Sequence, residues 1–206
     1  SRKSRSALTV ESAYTSYDAQ SERSLIVKQD KGGLSIGQES LWALQKMHPE
    51  MSAYNCPLCY KLVSQVDVDL FEQACLLLVE SYPILSTVLR EKNGRIYQET
   101  DIVKWTVQKE DFTHLKEDQV LPALQAKAKT PFDLEQDPLF RAHLLERSSK
   151  ETIVLLNIHH IICDGKSFHP LVSTLFGFYQ TLLNGNRPLV RSYGSSNDEF
   201  IDRQQR

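Results

Sequence analysis

The chain has 206 residues, 41% apolar and 24% charged, with 24 Lys plus Arg against 26 Asp plus Glu for a formal charge of -2. That balance excludes the bulk basic footprint of a nucleic-acid binder, and no run of about 20 apolar residues marks a membrane span. Cys56, Cys59, Cys75 and Cys163 are too few and too unevenly spaced for a disulfide scaffold, and the charged N-terminus lacks the apolar core of a secretory signal, so the expected compartment is the cytoplasm.

Residues 1–33 read as a linker or N-terminal arm, rich in Ser, Arg and Gln, with one early strand at Leu25, Ile26 and Val27. Residues 35–48 predict a helix: Ser35 caps it, Gln38 three residues on completes a capping box, and Pro49 ends it. Cys56, Leu58, Tyr60 and Leu62 recur at period two, a strand. Residues 67–82 predict a second helix with Leu70, Phe71, Ala74, Leu77 and Leu78 inward. Residues 87–91 and 95–99 predict a hairpin turning at Asn93-Gly94, with Trp105 and Val107 continuing an edge strand. Residues 113–129 predict a third helix despite Pro122, and residues 139–146 and 151–158 two adjacent strands. Residues 167–183 predict the strongest helix, with Leu171, Leu175, Phe178 and Leu182 on one stripe and Asn184-Gly185 stopping it. The fold class is α/β: a mixed sheet flanked by helices, since some strands are joined by hairpins and others by helices.

The sharpest local feature is Asn157-Ile158-His159-His160-Ile161-Ile162-Cys163-Asp164-Gly165, where an apolar strand runs into two histidines. Histidine exchanges protons near neutral pH, and strand ends deliver polar groups into clefts. Adjacent residues on an extended chain point opposite ways, so one histidine faces a cleft and the other turns inward. A pair of satisfied core histidines is the competing reading, weakened by the Asp-Gly and the helix that follow. Zinc is disfavoured: His48, His114, His143 and His169 are scattered, and Cys56 and Cys59 stand alone as a pair with Pro57 between them in a strand. Asp164 either orients a histidine or pairs with Arg141 on the neighbouring strand. Gly165 suits a close backbone approach. Cys163, beside Ile161 and Ile162, reads as a packed small residue rather than a nucleophile. The chain has no G-x-G-x-x-G.

His159-His160-Ile161-Ile162-Cys163-Asp164-Gly165 matches an HHxxxDG motif, and four further segments in order accompany it. Leu34-Ser35-Ile36-Gly37-Gln38-Glu39-Ser40-Leu41-Trp42 is similar to LSxxQExLW, and Tyr54-Asn55-Cys56-Pro57 to YNxP. Pro131-Phe132-Asp133-Leu134 with Pro138-Leu139-Phe140-Arg141-Ala142 is similar to FDLxxxPLxRA. Residues 193–204 weakly resemble YxDFAxWQ. Together, over residues 34–206, they resemble the condensation domains of non-ribosomal peptide synthetases or hybrid polyketide–peptide synthases, in the chloramphenicol acetyltransferase-like superfamily. One segment departs: Ser86 stands where an arginine is usual, and Tyr82-Pro83 where histidine-glutamate is usual.

The resemblance implies an amide-forming acyl transfer from a donor thioester on one carrier protein to the amine on a second. Both substrates ride on phosphopantetheine arms supplied by the carriers, with no bound cofactor or metal. It implies catalytic roles for His160, as base or by positioning, and for the backbone N–H of Gly165. It implies structural support from His159 and from an Asp164–Arg141 salt bridge. An epimerisation domain shares the motif, but the opening segment and Tyr54-Asn55 resemble a condensation domain joining two L-configured or achiral units. A heterocyclisation domain has aspartates for the histidines. The match covers the N-terminal lobe only. Alone, that lobe is expected to have little or no activity, and its exposed inter-lobe face, expected to be apolar, offers a homodimer surface. A non-catalytic docking lobe and an ester-forming acyltransferase remain as alternatives.

Overall fold

The structure, a computed structural model, describes residues 10–12, 34–100 and 105–190. In chain order the elements are β1 (Val10–Ser12), α1 (Ile36–Met47), β2 (Asn55–Leu62), α2 (Val68–Ser81), β3 (Thr87–Lys92), β4 (Arg95–Thr100), β5 (Gln108–Asp111), α3 (Glu117–Ala128), β6 (Phe140–Ser148), β7 (Glu151–His159) and α4 (Phe168–Leu183). A five-stranded sheet has the order β1-β2-β7-β6-β5, and β3 and β4 form a separate hairpin. Pairing is antiparallel except between β5 and β6, which makes the expected mixed sheet.

The period-two alternation divides the core. Phe140, Ala142, Leu144, Val154, Leu156 and Ile158 belong to the main core, with Phe71 and Leu78 of α2 and Leu171, Leu175 and Tyr179 of α4. Leu145, Ile153 and Leu155 join a second cluster with Phe112 and Val120 of α3. Helices therefore cover both faces, and each fully buried large apolar side chain contributes roughly 1.5–3 kcal/mol. Cys56 and Cys59, three apart on β2, point to opposite faces.

Local chemistry sets most boundaries. Ser35 Oγ accepts from the Gln38 N–H at 3.3 Å while Gln38 Oε1 accepts from the Ser35 N–H at 3.1 Å, the reciprocal cap read from the sequence. Asp67 caps α2, accepting from the Leu70 N–H at 3.1 Å. Pro83 follows the end of α2 and opens a short 3-10 turn over Pro83–Ser86. Asn93 (φ 55°) and Gly94 (φ 72°) turn the hairpin through the left-handed region, as Asn-Gly does. The hairpin is fastened by the Leu89 N–H donating to Leu134 O at 2.7 Å.

Several expectations shift. The third helix begins at Glu117 rather than at 113, because the Thr113 N–H and hydroxyl are both taken by Asp111 Oδ1 at 2.7 and 2.6 Å. Such a side-chain turn competes with helix. The edge strand lies at Gln108–Asp111; Trp105 and Val107 precede it, buried, with Trp105 Nε1 donating to Phe140 O at 2.9 Å. On α4 the fully buried stripe is Leu171, Leu175 and Tyr179, with Phe178 and Leu182 partly buried beside it. The patch at Leu25–Val27 and the segment 193–204 lie outside the described residues.

Candidate active site

Val154, Leu156 and Ile158 of β7 belong to the main core, so Asn157 and His159 lie on the other face with Ile153 and Leu155, and the strand ends at His159. His159 is 1% exposed, whereas His160, the first residue beyond the strand, is exposed. One histidine is thus inside and one outside: both faces of β7 are covered, and His160 is exposed because it lies just past the end of the strand.

Backbone bonds fix both. The His159 N–H donates to Leu139 O at 2.9 Å and the His160 N–H to Tyr54 O at 2.9 Å. The chain then turns, with the Ile162 N–H donating to His159 O at 3.1 Å and the Cys163 N–H to His160 O at 3.3 Å. Gln38 adds a tie from α1: its Nε2 donates to Ile161 O at 2.9 Å. Gln38 therefore caps its own helix with one amide atom and holds the histidine turn with the other. The capping signal was visible in the sequence; the second bond spans 123 residues and was not.

The ring nitrogens differ in kind. His160 Nδ1 lies 2.6 Å from Cys163 O. A carbonyl only accepts, so Nδ1 carries the hydrogen, and in the neutral ring the lone pair is on Nε2. His159 is the reverse: Nδ1 accepts from the Ile161 N–H at 3.2 Å, which places its hydrogen on Nε2, a buried atom with no partner among the described residues. Burial, then the neighbouring His160, then Arg141 hold the His159 pKa down to about 4. Burial, first of all causes, also lowers that of His143.

The expected Asp164–Arg141 salt bridge is not formed. Arg141 Nη2 pairs with Asp137 Oδ2 at 2.7 Å and donates to Pro131 O at 2.8 Å, while Nη1 donates to Thr130 O at 3.0 Å. Its guanidinium lies over the Phe132 ring at 3.9 Å. Arg141 sits directly across from Asn157 on the sheet, so its fork reaches the loop after α3 rather than the turn after β7. Asp164 instead accepts from the Ser167 N–H at 3.0 Å and the Ser167 hydroxyl at 2.6 Å, closing the turn that leads into α4. Gly165 is exposed, and a Cβ there would meet nothing within 4 Å. No close approach among the described residues requires it. Cys163 is buried and pushed up to about 12, chiefly by burial, so it is a packed thiol rather than a nucleophile.

Two asparagines complete the surroundings. Asn55 Nδ2 donates to Ala128 O and Thr130 O, both at 2.8 Å, and Asn157 Nδ2 to Ala128 O at 3.0 Å. They satisfy the carbonyl at the end of α3. A cleft of about 500 Å³ runs between Trp42, Gln45 and Lys46 of α1 and the loop 131–137, and Phe132 is its common wall with His159. Among the described residues no three His, Cys, Asp or Glu side chains gather as a metal site would need. No described helix is long and apolar enough to cross a membrane.

The site is therefore set in a mixed sheet covered by helices, with one histidine exposed just past the end of a central strand. The Condensation domain family matches residues 28–206, and the chain belongs to that family. It is 44% identical over 177 residues to polyketide synthase PksN of Bacillus subtilis (strain 168), covering 85% of this chain and 3% of that protein. It is 34% identical over 147 residues to bacitracin synthase 3 of Bacillus licheniformis, covering 71% of this chain and 2% of that one. Its fold is similar to the starter condensation domain of rhizomide synthetase RzmA (TM-score 0.75, 21% identity, 84% of this chain and 44% of that chain). It is also similar to the first condensation domain of the calcium-dependent antibiotic synthetase in complex with substrate analogue 2a (TM-score 0.72, 19% identity, 86% and 43%). The chain thus spans less than half of these solved domains and a few per cent of the curated relatives.

Proposed function

We propose that the chain forms the N-terminal lobe of a condensation domain in a cytoplasmic modular synthase. In this reading residues 1–33 are a linker or arm and residues 34–206 the lobe. The whole domain joins an acyl or peptidyl thioester on a donor carrier protein to the amine of an aminoacyl group on an acceptor carrier, forming an amide. The observation that carries this reading is the state of His160: Nδ1 is bound to Cys163 O, and Nε2 is left with its lone pair on an exposed ring. That nitrogen is suited to take a proton from an attacking amine or to stabilise its charge.

The remaining roles follow from position. In this reading the backbone N–H of Gly165, an exposed residue of the same turn, serves the thioester oxygen. His159 supports the turn from within, Asp164 shapes the entry to α4, and Arg141 supports the neighbouring loop through Asp137. Phosphopantetheine arrives on the carriers, and the C-terminal lobe supplies the other wall of the site.

The test is an amide-forming assay with loaded donor and acceptor carriers, run on the chain alone and on the chain with a C-terminal lobe. The chain alone is expected to give little or no product; turnover near that of the two-lobed domain sinks this part of the reading. In the two-lobed protein His160→Ala is expected to lower the rate by roughly 10²–10⁴-fold. An unchanged rate favours a docking lobe without chemistry. The inter-lobe face is also proposed to pair two copies of the lobe, and sedimentation over a concentration series reads this as a dimer against a monomer.

A further inference from the structure

We infer that Arg141, stacked on Phe132, is a positioning residue for the histidine pair, fixing the His159 ring in one orientation and one tautomer and so holding the turn that presents His160. Its bearing on catalysis rests on the proposed function of His160.

Three groups lie in layers. The Arg141 guanidinium is 3.9 Å from the centroid of Phe132, and the Phe132 ring meets His159 edge-on at 5.7 Å and 80°. Phe132 and His159 are each 1% exposed, and the Arg141 side chain 15%. The fork of Arg141 also binds Thr130 O and Pro131 O, the two carbonyls just before Phe132. One residue therefore sets both the backbone that carries the ring and the face of the ring itself. Lysine offers no such plane or fork.

Charge acts in the same direction. The titratable and charged groups facing His159 are His160 beside it, Arg141 from β6, and Tyr54 from the segment before β2, its ring 6.4 Å away. Asp137 is engaged by Arg141 itself. Burial comes first in lowering the His159 pKa, and the charges of His160 and Arg141 act with it. Protonation of His159 would put a hydrogen on Nδ1, which now accepts from the Ile161 N–H. Two donors would then face each other, and the turn presenting His160 would open. An uncharged His159 is thus a condition for the shape of the turn.

The experiment is an NMR titration of ring nitrogens in the histidine-labelled full chain. In the unaltered chain His159 is expected as the Nε2–H tautomer with a midpoint near about 4. In Arg141→Gln, with the fold verified by circular dichroism, the midpoint is expected to rise by some tenths of a pH unit. An unmoved midpoint in the folded variant overturns the inference. Where Arg141→Gln does not fold, Arg141→Lys decides: a midpoint kept low with a broadened His159 ring signal supports the stack, and an unchanged sharp signal overturns it. Because the readout is ionisation rather than turnover, a failure here leaves the acyl-transfer reading standing, and a failure of that reading leaves this one standing.

Discussion

At the scale of single residues, a carbonyl decides which nitrogen of His160 is free, and an amide decides which nitrogen of His159 is not. Gln38 is the outside tie on this turn. Gln38→Glu keeps the oxygen that accepts from the Ser35 N–H but sets a carboxylate against Ile161 O. Denaturant titration is expected to show a loss of about 1–2 kcal/mol, with helix content unchanged and faster amide exchange at 161–163. His159 makes a second prediction. Its folded pKa, about 4, lies below the ordinary 6.5, so the unfolded chain binds the proton more readily. The stability it contributes is whole above pH 6.5 and is lost as pH falls from there towards 4, by roughly 3 kcal/mol at most. His159→Gln, measured beside the unaltered chain from pH 7.5 to 4, is expected to show a shallower decline, with His143, also lowered by burial, contributing to the slope that remains. At this scale the sequence said that the two histidines part, because alternation is a local rule, and the family resemblance said which of them stays inside. It did not find the partner of Arg141. A long side chain leaving a strand meets whatever loop passes above it, and the course of residues 129–138 is set by Asn55 and Asn157, which are distant in the chain.

At the scale of elements, α2 and α4 are joined by a polar contact inside an apolar interface. Tyr179, 1% exposed, stands edge-on to Phe71 at 5.5 Å and accepts from the Asp67 N–H at 2.9 Å. Tyr179→Phe keeps the ring contact and leaves that N–H unmatched. The expected cost is about 1 kcal/mol, seen in a thermal melt as a fall of roughly 2–4 °C in Tm; no fall at all would mean that water replaces the hydroxyl. The helices read most reliably were α1, from the cap of Ser35 and Gln38, and α2, from its apolar period; the cap of Asp67 on α2 was found in the structure. The start of α3 was misplaced because Asp111 offers Thr113 a local partner, and hydrophobic spacing carries no trace of that bond. Tyr179 was passed over on α4 because its polar tip disguised a core residue.

At the scale of the whole molecule, the mixed sheet and its two covering layers followed from the order of strand and helix signals. The strand order did not: β7 sits between β2 and β6, a long-range choice made by the core. What the lobe does follows from its end rather than its middle. The strand that runs deepest, β7, is the one that surfaces with a histidine. The lobe spans less than half of the solved condensation domains it resembles, so the site as proposed is one wall of a larger enclosure.

The alternation along β7 also constrains how such a lobe can change over generations. Inserting or deleting one residue within β7 would move its alternating apolar set from one covered face to the other and take His159 and His160 out of the positions their backbone bonds fix. Length changes are tolerable only where the ladder already absorbs an odd residue. That place is the irregularity between Glu146 and Ser148, where Arg147 steps out of register and its side chain bonds Phe112 O and Leu115 O. Lineages of this lobe are therefore expected to vary in length at the turn joining β6 and β7 and to keep count strictly between it and His160.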